Sequence, residues 1–204
     1  MPRLRPEQLT PDQRRLYDEM TGGPRNNGRR SFPLTDGDGV LTGPFNAMLA
    51  SPVVGTALQR LGAAIRYQTE LPDQVRELVI LMVSAHLGSE YEWYVHEPIA
   101  RNSGLSDEVI TAIKDGLRPP FADTAQQAAH DLTIAVLRSE DIPNPQFAAA
   151  VEALGTQGVF EISTIVGYYW LLAAQLRLFQ VGPPPAQEGL GDLSRRLDGR
   201  RPGR

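Results

Sequence analysis

Apolar positions along this chain recur at intervals of three and four residues, and no convincing run of strict apolar–polar alternation interrupts them. The pattern predicts helices and no strands. Thr10-Pro11 followed by Gln13 reads as an N-cap, a first-turn proline and a capping-box partner, opening a helix that stops at Gly22-Gly23. From Pro24 to Gly43 the chain is rich in Gly, Asn, Asp and Arg without a period, which predicts a long loop, with Gly37-Asp38-Gly39 as a turn. Ser51-Pro52 starts a helix whose apolar stripe is read as Val54, Leu58, Leu61 and Ile65. Pro72 opens a strongly apolar helix to about Leu87, and Gly88-Ser89 begins another that ends by Gly104. Pro98 cannot donate to the Tyr94 carbonyl and should bend or shorten that helix.

Downstream, Ser106 caps a short helix with Asp107 and Glu108 in its first turn. Thr124 with Gln127 reads as a second capping box, and Asn144-Pro145 opens a further helix. A long apolar helix follows, from about Gln157 to Phe179. Its charge-free run between Glu161 and Arg177 is 15 residues, short of the roughly 20 that span a bilayer. A buried or interface helix is the expectation. The organisation reads as an N-terminal helix and long loop over 1–42, a helical domain over 43–181, and a Pro/Gly/Arg-rich tail over 182–204 with a net charge of +2.

Composition narrows the chemistry. The 204 residues contain no cysteine, which removes disulfides, thiolate metal sites and thiol nucleophiles. A net charge of -4 gives no electrostatic footprint for nucleic acid. The N-terminus has no apolar signal-peptide core, so the expected location is cytoplasmic, without a membrane partner. No H-E-x-x-H, Walker or dinucleotide-binding glycine pattern occurs, and neither a metal nor an organic cofactor is expected.

The candidate chemistry lies in two adjacent helices, ELVILMVSAHLG and SEYEWYVHEPIARNSG. Glu77 sits among Leu78, Val79, Ile80 and Leu81, either at a solvent edge or buried with a partner, since unpaired burial is costly. Ser89, Glu92 and His96 share one stripe at about 100° per residue, with Trp93 beside it. Glu92 and His96 are four apart and can meet directly; a carboxylate there favours the protonated imidazole, which suits a general acid. Such a pair is also common on solvated helix faces. His86 should face away from Glu77, and His130 should serve local packing. Tyr91, Trp93, Tyr94, Tyr168, Tyr169 and Trp170 form two aromatic clusters for core or interface packing, from which a hydroxyl such as that of Tyr168 could orient a substrate. Glu161 reads as a second polar group near a pocket or as an ion-pair partner of Arg66, Arg76 or Arg177. Arg66 and Arg76, with Arg29 and Arg30, are available anchors for an anionic substrate.

The segment LPDQVRELVILMVSAHLGSEYEWYVHEPIARNSGLSDEVITAI, with flanking sequence from about Gly43 to Phe179, resembles the carboxymuconolactone decarboxylase / AhpD-like family. The resemblance implies an all-α AhpD-like helical bundle assembled as a homo-oligomer, whether dimer, trimer or hexamer. The redox-active branch carries a Glu, eleven residues, Cys-x-x-Cys, three residues and a His. Glu77 and His96 match the Glu and the His, while Ser89 and Glu92 stand at the cysteine positions. Thiol peroxidase activity is therefore not expected. The decarboxylase branch implies a cofactor-independent lyase acting on a small carboxylated lactone or related cyclic metabolite. There His96 would be the general acid, Glu92 or Glu77 would orient it, and Ser89, Arg66, Arg76, Trp93 and Tyr168 would contact substrate. An isomerase, hydratase or hydrolase using the same Glu/His pair stays open. So does a non-catalytic binding or assembly protein that kept the fold.

Overall fold

The computed structural model describes residues 3–23 and 33–183. The predicted tail from residue 184, and Arg29 and Arg30 of the long loop, lie outside them. The described residues form an all-helical protein whose only strand-like feature is an isolated antiparallel bridge between Thr35 and Leu41. The chain divides into two compact units. One is built on Met1–Thr69 with Ala174–Val181, the other on Glu70–Ala173.

The first unit opens with a 3-10 turn at Pro6–Gln8, then α1 (Pro11–Gly22), α2 (Pro44–Met48) and α3 (Pro52–Tyr67). The Thr10 hydroxyl accepts from the Gln13 amide, and the Gln13 side chain accepts from the Thr10 amide at 3.0 Å. Gly37-Asp38-Gly39 is a turn closed by Asp36, whose Oδ1 accepts from the amides of Asp38 and Val40 at 2.9 and 3.0 Å. On α3 the buried stripe is Gly55, Leu58, Gln59, Gly62 and Ile65. This corrects the sequence reading: Val54 is 61% exposed and Leu61 41%. At Gly55 the neighbouring elements approach too closely for a side chain. A Cβ on Gly55 would stand 2.3 Å from the Met48 carbonyl oxygen and 2.9 Å from the Leu16 side chain.

The second unit contains α4 (Asp73–Leu87), α5 (Glu90–Asn102), α6 (Asp107–Lys114), α7 (Thr124–Leu137) and most of α8 (Asn144–Leu178). Helix α4 is central, with α5, α6 and α7 packed around it, and every residue from Val75 to Ser84 is buried. A helix apolar on all sides has this fate. It ends at Gly88, whose φ of 61° is the left-handed conformation that a glycine adopts without penalty. There the Gly88 amide donates to Ala85 and the Ser89 amide to Ser84, at 3.2 and 2.8 Å, so the chain reverses straight into α5.

Helix α5 runs through Pro98 to Asn102, in line with the end expected by Gly104, so Pro98 does not end it early. One local expectation is corrected, at the start of α7. Helix α7 is capped by Asp123, whose carboxylate accepts from the amides of Ala125 and Gln126, and Thr124 is its first helical residue. Asp outcompetes Thr at the cap because one carboxylate oxygen reaches two amides. Helix α8 breaks at Gly155 (φ 70°, ψ 163°) and then runs on to Leu178. It is long and apolar enough to cross a membrane by length and composition alone. Its Ile162, Ile165, Val166, Tyr169 and Leu172, however, are buried in protein, as in a core helix.

Candidate active site

Glu77 lies eleven residues before the Gly88 corner and His96 eight residues after it, so the reversal carries both to similar heights on adjacent helices. Glu77 is fully buried, and His96 and Glu92 are each 3% exposed. His96 Nδ1 lies 2.7 Å from Glu77 Oε2. An ionised carboxylate only accepts, so Nδ1 carries the proton and donates. That fixes the ring and turns Nε2 toward Glu92 Oε2 at 3.5 Å, an ion-pair distance longer than an ordinary hydrogen bond. The i,i+4 relation on α5 thus brings Glu92 to the imidazole, but the tighter partner comes from α4.

Two carboxylates on one imidazole constrain its protons. With Nδ1–H given to Glu77, a lone pair on Nε2 facing an ionised Glu92 would set two electron-rich atoms against each other. The cluster is buried, and the Tyr169 ring stands edge-on to His96 at 5.2 Å between centroids.

Arg76 borders this cluster, and Tyr168 packs on Tyr169. The buried Arg76 guanidinium pairs with Asp73 on the first turn of α4, and its Nε is 4.0 Å from Glu77 Oε1. Tyr168 is buried and meets Tyr169 edge-on at 5.3 Å. Ser89, at the N-cap of α5, is buried and makes no side-chain capping bond. The fully buried Trp93 directs its indole N–H to Glu97 Oε2 at 2.9 Å, one turn along α5. Arg66 lies in the last turn of α3, in the other compact unit.

Glu161 has a structural task in place of both roles read from the sequence. Its carboxylate accepts from the backbone amides of Glu70 and Leu71, both at 3.3 Å, and from Gln157 Nε2 at 2.9 Å. His86 is exposed, beside Trp170 with ring centroids 5.8 Å apart, and burial of part of its ring together with Arg138 lowers its pKa. His130 is buried, its Nδ1 2.9 Å from Asp131 Oδ1 and its ring against Phe121.

Tyr169, read from the sequence only as a packing residue, touches His96, and Asp73, which drew no reading, pairs with Arg76. Tyr169 had a usable signal, since it continues the stripe Ile162, Ile165, Val166, Leu172 and Ala173 that faces the core. Asp73 sits three residues before Arg76, a spacing that also pairs side chains on open helix faces.

The sequence model of the carboxymuconolactone decarboxylase family matches residues 52–134, which include Glu77, Ser89, Glu92 and His96. A peroxidase-related protein from Ralstonia eutropha JMP134, described as an alkylhydroperoxidase AhpD core, superposes with a TM-score of 0.69 at 17% identity, covering 91% of this chain and 92% of that one. The chain shares the all-helical AhpD-like fold of that structure. It is also similar in fold to a protein of unknown function from Agrobacterium tumefaciens, a putative antioxidant defence protein AhpD, with a TM-score of 0.59 and 18% identity over 68% of this chain and 96% of that one. The debrominase Bmp8 matches with a TM-score of 0.64 and 15% identity, over 90% and 91% of the two chains. A cysteine-to-alanine form of Bmp8 has been crystallised with 2,3,4-tribromopyrrole. No functionally curated protein matches this chain in sequence. With no cysteine in its sequence, the chain has no thiol for redox turnover.

Proposed function

We propose that this chain is a cofactor-independent lyase of the carboxymuconolactone decarboxylase type. It removes carbon dioxide from a small carboxylated lactone or related cyclic metabolite and returns a proton to the carbon left behind. The observation that carries this reading is the buried Glu77–His96–Glu92 cluster, with no thiol beside it. Decarboxylation leaves an electron pair on carbon that must be delocalised and then protonated, and a sequestered acid suits the second half of that task. A small cyclic substrate agrees with the brominated pyrrole bound to Bmp8, a protein of the same fold.

Isomerisation by proton transfer is the second reading. It is favoured by the position of Arg76, whose guanidinium pairs with Asp73 beside Glu77 and so is already committed to carboxylates. Incubating the protein with carboxymuconolactone in deuterated water separates the two. The lyase releases carbon dioxide and places one deuterium on the product carbon, whereas an isomerase exchanges deuterium into a substrate that keeps its carboxylate. Neither release nor exchange across a panel of carboxylated lactones contradicts both.

A further inference from the structure

Glu92 has a buried oxygen that the protein does not satisfy, while the corresponding Glu77 Oε1 lies 4.0 Å from Arg76 Nε. Glu92 Oε1 is buried and has no hydrogen-bond partner among the described residues, although the rest of the carboxylate faces His96. His96 is differently placed. Nδ1 is bonded to Glu77, Nε2 faces Glu92, and Tyr169 covers the ring from the side. At 3.5 Å the line between Nε2 and Oε2 has no space for a substrate atom. The imidazole is thus turned inward, and the carboxylate is the end of the chain with an unused oxygen.

We infer that Glu92, through Oε1, is the group that exchanges a proton with the substrate, while Glu77 and His96 position and recharge it. The inference rests on the acid–base reading of the site and changes which residue touches the substrate. A carboxyl group suits this post, because it can release a proton from one oxygen while the other takes one up. In the lyase direction the bond to the departing carboxylate breaks, and its electron pair stays on the substrate carbon. That pair forms a C–H bond with the proton from Oε1. Glu92 is left as a carboxylate, and bulk water returns its proton by way of His96 Nε2 between turnovers.

The same arrangement selects the end of the ligand that enters. Asp73 and Glu77 bring two carboxylates and Glu92 a third once its proton is given up, against Arg76 and at most one charge on His96. An anionic group is repelled here, and a hydrogen-bond donor is attracted. The substrate presents a hydroxyl, N–H or enolic edge to Oε1 and holds its carboxylate away from the cluster. A buried, unpaired acceptor gains more from such a donor than an exposed one, since it no longer has water to give up.

Catechol, a neutral ring with two O–H donors, and benzoate, an anionic ring without one at neutral pH, are suitable probes. Binding is followed by NMR of protein labelled with 15N-histidine and 13C-carboxyl glutamate. Catechol should bind the wild type and perturb the carboxyl resonance that is missing from Glu92→Gln, and benzoate should not. Glu92→Gln keeps an acceptor oxygen and should retain catechol binding. Glu92→Leu should weaken it about tenfold or more, the loss of one hydrogen bond to a charged group. If Glu92→Leu does not fold, the wild-type carboxyl shift decides alone. Catechol that moves His96 Nε2 while the Glu92 carboxyl stays unchanged would overturn the inference, and so would equal binding of benzoate. Catechol seated on Glu92 in a protein that decarboxylates nothing would leave it standing and remove the lyase reading.

Discussion

His96 Nδ1 and Glu77 Oε2 are 2.7 Å apart, joining two helices through a hydrogen bond from which water is excluded. The residues are nineteen apart in sequence and meet because the chain reverses at Gly88. The bond anchors α5 to α4 and turns the imidazole toward Glu92, so removing Glu77 should disturb stability and chemistry together.

We predict that Glu77→Ala destabilises the fold by about 3–5 kcal/mol, because Arg76 and His96 lose a buried counter-charge. Glu77→Gln keeps the shape and should lose less. Urea denaturation monitored by circular dichroism measures both. A change below about 0.5 kcal/mol for the alanine variant, the range of an inert surface substitution, would show that the pair contributes nothing to folding.

The ion pair between Glu19 and Arg60 predicts a pH dependence in the first unit. Arg60 Nε and Nη2 hold the two Glu19 oxygens at 2.7 and 2.8 Å, and that hydrogen bonding, outweighing partial burial, lowers the Glu19 pKa from its ordinary 4.5. A carboxyl group whose pKa is lower folded than unfolded contributes stability above its unfolded value, and loses it as pH falls through the folded one. Arg60→Ala should therefore destabilise the protein at pH 7, with the difference from wild type fading below pH 4.5. Thermal melts of the two proteins across that range supply the check; a difference that grows on acidification contradicts the assignment.

Glu161 anchors backbone. Losing its bonds to the Glu70 and Leu71 amides should cost about 1 kcal/mol in Glu161→Ala. Turnover per folded molecule should be unchanged, as Glu161 is bonded to the turn before α4 and to Gln157. A large fall in kcat with unchanged stability would return Glu161 to the site.

These cases show how far the residues spoke for themselves. The helices were legible because apolar spacing and capping residues act locally, as at Thr10 and Ser106. Glu92 with His96 was legible for the same reason, four residues on one helix. The pairing of Glu77 with His96 crosses between helices, and only the family pattern suggested it. Glu161 was misread because its partners are amides about 90 residues away, which leave no trace in side-chain spacing. The α3 stripe was misplaced because hydropathy ranks Val54 and Leu61 above Gly55 and Gly62, whereas close contact at Gly55 favours the smallest residue.

Assembly is a further prediction. After its break at Gly155, α8 exposes Phe160 and Leu171 on one face, with Trp170 on the flank. Exposed large apolar residues on a shared face suit a contact with a second copy of the chain. Light scattering should show a homo-oligomer at micromolar concentration, and Phe160→Glu with Leu171→Glu should convert it to a smaller species. A wild-type monomer under those conditions contradicts this.

The most direct test of the central claim is carbon dioxide release from carboxymuconolactone by the wild type and by His96→Gln. Both proteins are first checked for equal helicity and assembly. The buried Glu77–His96–Glu92 chain predicts release by the wild type and a loss of about a hundredfold or more in the variant, the usual scale of a general acid and its relay. A folded His96→Gln protein that releases carbon dioxide at the wild-type rate would contradict the assignment of this cluster as the catalytic centre.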